Sequence, residues 1–400
     1  MQQNLFFTYN KLNALKKYCA TYAGPTYLYS LRVIKHQLLA LQRNLPKCFQ
    51  IFYAQKSNPN PEILKFIASF GVGCDTASMG EIKAALQAGF IAQKIIFTGP
   101  GKKTEEIEYA LRRKILALSA ESLQELAIIN AIASKLKVKQ KILVRINPPY
   151  EAGEEHRIIG GSGVSKFGID FEQMPIFFAA LKENAHVELC GIHVFNSSQI
   201  LSAQTIFNNI KNVVATAKSL AHTYKQNFSI IDLGGGFGIP YSKDENNLDI
   251  ASLGLKLKTL FKNPVNKAFI AKNTNLIIEP GRFLSGLCGI YLTRVLYTKE
   301  SRGTAIVIVD GGIHHLLRPA LIGQAMPIIN LTGLYEKRTN FSHYMIAGPL
   351  CTALDYFDKQ ALLCETKLGD ILAVLNAGAY GYTESMPLFL SHSPAKEIII

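Results

Sequence analysis

Between Leu31 and Gly281 the sequence alternates short β-branched and apolar runs with longer amphipathic stretches. The runs predicted as strands are CFQIFYAQK, KIIFTG, ILALSA, KILVRINP, LCGIHVF, FSIIDLGGG and NLIIEPGR. Stretches such as NPEILKFIASFG and MGEIKAALQAGF lie between them and place apolar residues at helical spacing. A strand followed by a helix, repeated about eight times at intervals of roughly 30 residues, predicts a parallel (β/α)8 TIM barrel over residues 31–281. The alternative is an open doubly wound sheet, although no GxGxxG motif opens an early helix.

Beyond Arg282 the pattern changes to strand-like runs separated by Gly and Asp turns. These runs are GIYLTRVLYTKE, GTAIVIVDGG, HYMIAGPLC and DILAVLNAG, and the N-terminal GPTYLYS is also strand-like. We therefore expect fold class α/β, with the barrel accompanied by a C-terminal, mostly β domain. That second domain is predicted to comprise residues 1–30 and 282–400.

Composition narrows the class of protein. With 48% hydrophobic and 18% charged residues among 400, the chain is globular rather than disordered. It has no run of 18 apolar residues, so no transmembrane helix is expected, and its start lacks the pattern of a signal peptide. The seven cysteines are scattered without a CxxC pair, which indicates a reducing compartment and a cytoplasmic protein.

The net charge of +14 has two interpretations. It can reflect an acidic partner, or a basic surface that is simply solvated. The lysines are dispersed, and neither zinc-finger spacing nor an aromatic RNA-binding motif accompanies them, so the solvated surface is favoured and nucleic acid is not expected.

Three motifs at predicted strand ends carry chemistry, because the carboxyl ends of barrel strands are where function collects. Lys56 ends the first strand, the glycines of DLGGGFG (232–238) follow another, and IIEPGR (277–282) closes the last. Successive glycines let backbone N–H groups approach an anion. An amine, an anion nest, a carboxylate and a guanidinium together suit pyridoxal 5′-phosphate. Each motif alone is weak evidence for a pyridoxal-phosphate site, but the occurrence of all three at separate strand ends favours one.

The chain resembles the fold-type III pyridoxal-phosphate decarboxylases, which include the diaminopimelate and ornithine decarboxylases. The matching stretches are YAQKSNPNPEIL, GCDTASMGEI, LVRINP, SGVSKFGID, DLGGGFG, EPGR, GPLCTALD and NAGAYGY. The resemblance implies an alanine-racemase-type barrel plus a β domain, pyridoxal phosphate as cofactor, no metal, and amino-acid decarboxylation. It also implies a homodimer with shared active sites.

The resemblance assigns roles to individual residues. Lys56 matches the lysine that forms the Schiff base, and Cys351 the cysteine that crosses from the partner subunit to protonate the carbanion. Cofactor contacts are implied for Asp75, Arg145, Phe195, Ser198, Gly234, Gly235, Gly236, Glu279, Gly281, Arg282 and Tyr380. Substrate contacts are implied for Arg282, Arg318, Thr352, Asp355 and Tyr380. Asp355 and Lys166 match positions that pair across the dimer interface.

Three departures from the family pattern concern the substrate. Phe195 replaces the histidine that stacks on the cofactor ring; a phenyl ring stacks but cannot titrate. Near it, His193 is either functional or an ordinary buried histidine. Thr352 stands where the diaminopimelate and ornithine enzymes have an acid for the distal ammonium group. RPALI keeps Arg318, which matches a contact to a distal carboxylate, but Ile322 replaces a tyrosine.

A neutral residue at position 352 disfavours a substrate with a free distal amine. The departures resemble a side branch of the family that decarboxylates glutamyl or related groups on acidic acyl carrier proteins, which would also give the positive charge a reason. The alternatives are a diaminopimelate decarboxylase of lysine biosynthesis, an amino-acid racemase on the same fold, and a non-catalytic relative. The lysine, the cysteine and the phosphate contacts are all present, which argues against the last.

Overall fold

The computed structural model describes residues 4–10, 12–150, 164–242, 244–270, 274–323 and 325–400. The described strands are β1 (Thr26–Tyr29), β2 (Phe49–Ala54), β3 (Gly73–Thr76), β4 (Ile95–Phe97), β5 (Ala117–Ala120), β6 (Gln140–Asn147), β7 (Ile169–Asp170), β8 (Val187–His193), β9 (Ile230–Asp232), β10 (Asn275–Ile278), β11 (Gly289–Ser301), β12 (Thr304–Val309), β13 (Ile328–Asn330), β14 (Phe341–Ala347), β15 (Tyr356–Cys364), β16 (Ile371–Val374) and β17 (Lys396–Ile399).

The described α-helices are α1 (Leu5–Tyr9), α2 (Leu12–Ala20), α3 (Leu31–Asn44), α4 (Pro61–Ala68), α5 (Met79–Gln87), α6 (Thr104–Arg112), α7 (Leu123–Lys135), α8 (Met174–Glu183), α9 (Ala203–Thr223), α10 (Ile250–Lys262), α11 (Pro264–Ile270), α12 (Gly281–Ser285), α13 (Arg318–Ile322) and α14 (Leu331–Tyr335). Within the described ranges, none of them is long and apolar enough to cross a membrane.

The chain divides into two compact units. The barrel unit comprises 39–238 and 247–281; the β unit comprises 1–38, 239–246 and 282–400. The domain limits predicted from the sequence stay a prediction.

The barrel unit closes a ring of eight parallel strands. In order around the ring these are β2, β3, β4, β5, β6, β8, β9 and β10, and β10 pairs again with β2. Apolar side chains from seven of these strands fill the interior, among them Phe52, Leu143 and Ile277. Since all eight strands run in parallel, their carboxyl ends meet at one rim of the barrel.

The β unit is built on one sheet in which β13, β16, β11, β12, β14 and β15 are neighbours in that order. The N-terminal β1 pairs antiparallel with β11 and parallel with β17. Its core includes Phe6, Leu28, Leu292, Leu331 and Ala373. The predicted fold class, a (β/α)8 barrel plus a mostly β domain, is confirmed.

Candidate active site

Lys56 lies one step beyond the strand that was predicted to end on it. It occupies a single 3₁₀ turn, Gln55–Ser57, immediately after β2. Its Nζ lies 3.5 Å from Oδ2 of Asp75 and 5.4 Å from the centre of the Phe195 ring. The other oxygen of Asp75 accepts a hydrogen bond of 2.6 Å from Thr98, which orients the carboxylate. The Lys56 side chain is 36% exposed and Asp75 only 1%, so the amine is accessible while its counter-charge is buried.

Three further strand ends bring His193, Asp232 and Glu279 together, and we call these residues the acid cluster. All three are at least 95% buried. His193 Nε2 lies 3.9 Å from Glu279 Oε2, and His193 Nδ1 shares a hydrogen bond of 2.9 Å with Ser119. Asp232 Oδ1 accepts from the N–H of Gly234 at 3.0 Å. The carboxyl groups of Asp232 and Glu279 are close enough to hydrogen-bond. An ionised carboxylate has no hydrogen to donate, so this arrangement favours one proton shared between Asp232 and Glu279.

Burial determines how the acid cluster titrates. It raises the pKa of Glu279 well above its usual range, and the nearby charges of Asp232 and Asp75 raise it further. It also raises the pKa of Asp232, to about 7, against the opposing hydrogen bond from Gly234. The pKa of His193 is lowered by burial and then by the positive charge of Arg145. At neutral pH the cluster therefore contains a protonated Glu279 and a neutral imidazole.

Arg145 is held within the barrel rim by an acid that the sequence did not indicate. Its Nη1 lies 3.1 Å from Glu121 Oε1, and its guanidinium lies 4.6 Å from the centre of the Phe167 ring. Glu121 also accepts from the N–H of Gly99 at 2.8 Å and of Gly168 at 3.1 Å. Glu121 thus connects Arg145 with the segments that contain Gly99 and Gly168. No local motif marks it, because its partners are far away in the sequence.

The predicted glycine nest has the geometry of a close backbone approach. Gly234 and Gly236 have φ of +67° and +91°, which strongly favour glycine. A Cβ at Gly235 would lie 2.6 Å from the carbonyl oxygen of Glu279. At Gly281, also a predicted contact, a Cβ would lie 2.9 Å from that of Ala54. Ser198 is half-buried in the segment after β8.

In the β unit, Arg282, Arg318 and Tyr380 form a second group. The Arg282 and Arg318 guanidiniums lie 4.8 Å and 4.9 Å from the centre of the Tyr380 ring. Arg282 donates to the hydroxyl of Tyr241 at 2.9 Å, and Arg318 donates to Glu384 at 2.8 Å. Tyr241 and Glu384 were not predicted, and nothing in the local sequence identifies them. Two buried cations on one ring provide positive charge for an anionic ligand.

Cys351 is exposed and Thr352 half-buried, on a loop anchored by Asp355. One oxygen of Asp355 accepts from the N–H of Leu350 at 2.7 Å, and the other accepts from the N–H of Ile313 at 2.8 Å. Asp355 is 4% exposed. Within the chain its carboxylate therefore fastens two backbone segments. Its predicted pairing with Lys166 of a partner subunit stays a prediction.

The barrel unit fits pyridoxal phosphate. Lys56 supplies an amine beside a buried carboxylate, and the nest supplies backbone that can approach a phosphate. Buried Glu279 Oε1, Asp232 Oδ2 and His193 Nε2 have no hydrogen-bond partner among the described residues, so they can accept a polar ligand. Their ligand atoms lie within 4.8 Å of one another, as in a metal site. The positive charges of Arg145, Lys56 and Lys102 near His193 disfavour an added cation.

Comparison with known proteins agrees with this chemistry. The family described as "Pyridoxal-dependent decarboxylase, pyridoxal binding domain" matches residues 31–286. The chain is 34% identical over 384 residues to the L-glutamyl-[BtrI acyl-carrier protein] decarboxylase of Niallia circulans, covering 94% of this chain and 88% of that protein. It is 33% identical over 374 residues to the diaminopimelate decarboxylase of Aquifex aeolicus, covering 93% and 86%.

The fold also matches that of a solved decarboxylase structure. The diaminopimelate decarboxylase of Helicobacter pylori complexed with L-lysine superposes with a TM-score of 0.86 at 32% identity, covering 96% of this chain and 93% of that one.

Proposed function

Because the chain belongs to the pyridoxal-dependent decarboxylases, we propose that it removes the α-carboxylate of an amino acid that lacks a free amine at its distal end. The substrate that we favour is a glutamyl group tethered to an acidic acyl carrier protein. The observation that carries this proposal is Thr352, the neutral residue that follows Cys351. Its hydroxyl accepts a hydrogen bond of 3.3 Å from the N–H of Leu354, and a hydroxyl cannot neutralise a desolvated ammonium group.

Particular residues are proposed to hold the cofactor. Lys56 is the amine that bonds to the aldehyde, and Asp75 stabilises its positive charge in the resting enzyme. Gly234–Gly236 and Ser198 receive the phosphate; Arg282 and Tyr380 are proposed as phosphate or substrate contacts. Phe195 and Arg145 complete the cofactor contacts, and Glu279 keeps a proton at the pyridine nitrogen. When bound, the cofactor draws into its ring the electron pair that the departing carboxylate leaves behind.

The chain's own groups then account for the protons. Breaking the bond between the α carbon and the carboxylate releases carbon dioxide and leaves an electron pair on that carbon. The thiol of Cys351 supplies the proton that completes the product amine. The raised pKa of Glu279 suits its role, because a buried carboxyl group that holds a proton would share it with the pyridine nitrogen and, as the carboxylate, would balance the positive charge on the ring.

A homodimer is part of the proposal, since Cys351 is expected to act in the site of the partner subunit. In support, Cys351 is exposed in the single chain, and Leu354 and Leu321 in the same unit are 64% and 55% exposed. Exposed leucines in the unit that carries an exposed thiol are typical of a surface that a partner covers. Lys166, also exposed, is the proposed cross-interface cation.

The acidic carrier finds support in the charge of the barrel unit. Helices α9, α10 and α11 contain six lysines and no Asp or Glu. On α10, Leu255, Lys258 and Lys262 are all exposed, and their spacing places them on one face. An exposed leucine flanked by lysines, on helices that contain no acidic residue, is complementary to an acidic protein helix.

A diaminopimelate decarboxylase is the second candidate. It is favoured by the retained Arg318 and by the diaminopimelate enzymes among the relatives. A racemase has no such support, since the relatives compared are decarboxylases.

A carbon dioxide release assay separates these functions. Purified enzyme with cofactor is given free meso-diaminopimelate, ornithine, lysine and glutamate, the glutamate side-chain methylamide, and glutamyl carrier protein. We expect turnover of the carrier-bound substrate and, more weakly, of the methylamide and of free glutamate. Ordinary turnover of meso-diaminopimelate with no activity on the glutamyl compounds would establish the second candidate instead.

A further inference from the structure

His314 is a buried histidine whose hydrogen-bonding capacity is not used within the described chain. Its side chain is 1% exposed, and neither ring nitrogen has a partner among the residues that the structure describes. Its neighbour His315 differs: one ring nitrogen lies 3.0 Å from the hydroxyl of Tyr291 and the other 2.8 Å from the carbonyl oxygen of Ser393. Buried polar groups nearly always have partners. His315 therefore has a structural role, whereas both ring nitrogens of His314 are without a partner in the described chain.

The backbone around His314 is tied to the loop that carries Cys351. Asp355 accepts from the N–H of Ile313, next to His314, and from the N–H of Leu350, next to Cys351. A Cβ on Gly312 would lie 2.4 Å from the Asp355 carboxylate, so the turn must approach it without a side chain. One buried carboxylate thus fixes His314 and Cys351 on two neighbouring segments.

Arg318, four residues further along the chain, is a second buried side chain whose hydrogen-bond donors are only partly used. Arg318 is 5% exposed and donates one nitrogen to Glu384, while its Nε has no partner within the described ranges. Leu317, just before it, donates its N–H to the hydroxyl of Ser385 at 3.2 Å. The segment from His314 to Arg318 is therefore held at both ends and offers donors that the described chain does not use.

The charge state of His314 restricts what it can bind. Burial, and after it the adjacent rings of His315 and His392, lowers the pKa of His314 to about 3. The centres of those rings lie 3.7 Å and 4.9 Å from that of His314. A neutral imidazole offers one N–H donor and no net charge. It suits a carbonyl oxygen better than a carboxylate.

The proposed carrier-bound substrate contains such a carbonyl. Because the α-carboxylate must be free to leave, a glutamyl group can be joined to a carrier only through its side-chain carboxyl. That linkage converts a distal carboxylate into an uncharged thioester carbonyl.

We propose that His314 is a specificity residue that donates a ring N–H to this distal carbonyl oxygen of the substrate. The inference rests on the proposed function and extends it by naming the recognised group. It gives this chain a means of choosing an acyl-linked substrate over a free amino acid, with no charge on either side of the contact.

The test compares H314A, H314N and the control H343A, since His343 lies on β14 with an exposed ring. Cofactor-loaded dimers are assayed with the glutamate side-chain methylamide, a stable carbonyl probe, and with free glutamate. For H314A we expect the KM for the methylamide to rise about tenfold or more, with kcat little changed, and the KM for glutamate to rise much less. H314N, which keeps a donor, recovers part of the loss, and H343A behaves as wild type.

A binding measurement without turnover is made alongside. Calorimetry with the decarboxylated probe, 4-aminobutyric acid methylamide, should show the same fold-loss in affinity for H314A while its cofactor absorbance stays that of wild type. An unchanged KM and Kd would overturn the inference. So would equal losses for both substrates, a weakened dimer in sedimentation, or loss of cofactor, each of which marks a structural role. If wild type turns over only meso-diaminopimelate, the proposed function itself has failed, which is a separate result.

Discussion

The barrel rim and the loops of the β unit use buried charge in opposite ways. At the rim, burial and then the charges of Asp232, Asp75 and Lys56 act on the pKa of Glu279, and burial and the charge of Asp75 raise that of Asp232. In the β unit, the carboxylate of Asp355 is taken up by two backbone N–H groups. The residues around it, Thr352 and His314, are neutral. The rim is organised for the chemistry of one cofactor, whereas the loops hold neutral side chains that can be exchanged without disturbing a charge balance.

Removing the charge of Lys56 at the rim should have the largest effect on activity. In K56A we expect decarboxylation to fall by about 10³-fold or more, because on the proposed assignment this amine would hold the cofactor in place. The measurement is carbon dioxide release together with the near-visible absorbance of the cofactor. Borohydride reduction and peptide mapping should label position 56 in wild type. K65A, an exposed lysine on α4, is the control, and an unlabelled Lys56 in saturated wild-type enzyme would refute the assignment.

In the loops of the β unit, the substitution that removes a proposed catalytic group, as K56A does at the rim, is C351A. It should lower kcat by roughly 10²- to 10³-fold, since the proton donor is lost, while the cofactor spectrum stays intact. C48A is a suitable control because Cys48 is only half-buried. If the dimer forms from C351A and K56A chains mixed together, activity should be partly restored at the sites that combine two intact residues. No restoration on mixing would contradict a cysteine supplied by the partner.

Exchanging the neutral Thr352 for an acid should change which substrate the enzyme prefers. In T352E we expect kcat/KM for meso-diaminopimelate to rise about tenfold and that for the glutamate methylamide to fall by a similar factor, because a carboxylate pairs with a distal ammonium group. T352V, which keeps the shape without the charge, is the control. An unchanged substrate ratio in T352E would remove Thr352 as a determinant of specificity.

The sequence predicted the barrel through its strand and helix periodicity, and the family through its motifs. The strand Gly73–Thr76 was absent from the predicted runs, since a four-residue GCDT segment has little β-branched character. Lys56 was predicted at a strand tip and lies in the turn just beyond it. The first is a strand that the pattern missed, and the second is an error at an element end, where local pattern is weakest.

Contacts between distant segments were not predictable in the same way. Glu121 with Arg145, Tyr241 with Arg282, and Ser119 with His193 each join residues far apart in the chain. Nothing local distinguishes Glu121 from a surface glutamate, and its partners become visible only when the barrel closes. Asp232 had a signal, because it ends a strand two residues before Gly234, the first glycine of the nest.

The coupled charges of the rim should appear in the pH dependence of the cofactor-free protein. The folded-state pKa of Asp232, about 7, exceeds its usual value of 3.8, so the folded chain holds an extra proton between these values. Stability from this group is therefore full below about pH 4 and is lost as the pH rises through 7. The melting temperature should fall from pH 5 to 8 in wild type and fall less in D232N. D244N, at an exposed position, should retain the wild-type slope; an equal slope in D232N would contradict the coupling.

The smallest expected effect concerns the outer surface of the barrel unit, where charge is neither buried nor coupled. In the double variant K258E/K262E we expect the KM for glutamyl carrier protein to rise several-fold, because exposed charges steer association more than they bind. The KM for the glutamate methylamide should not change, and added salt should reduce the difference between variant and wild type. K65E/K182E makes the same charge change on α4 and α8, where acids are already present, and tests whether net charge alone is responsible. Equal losses in both double variants would assign the effect to the overall +14 charge rather than to the face of α10.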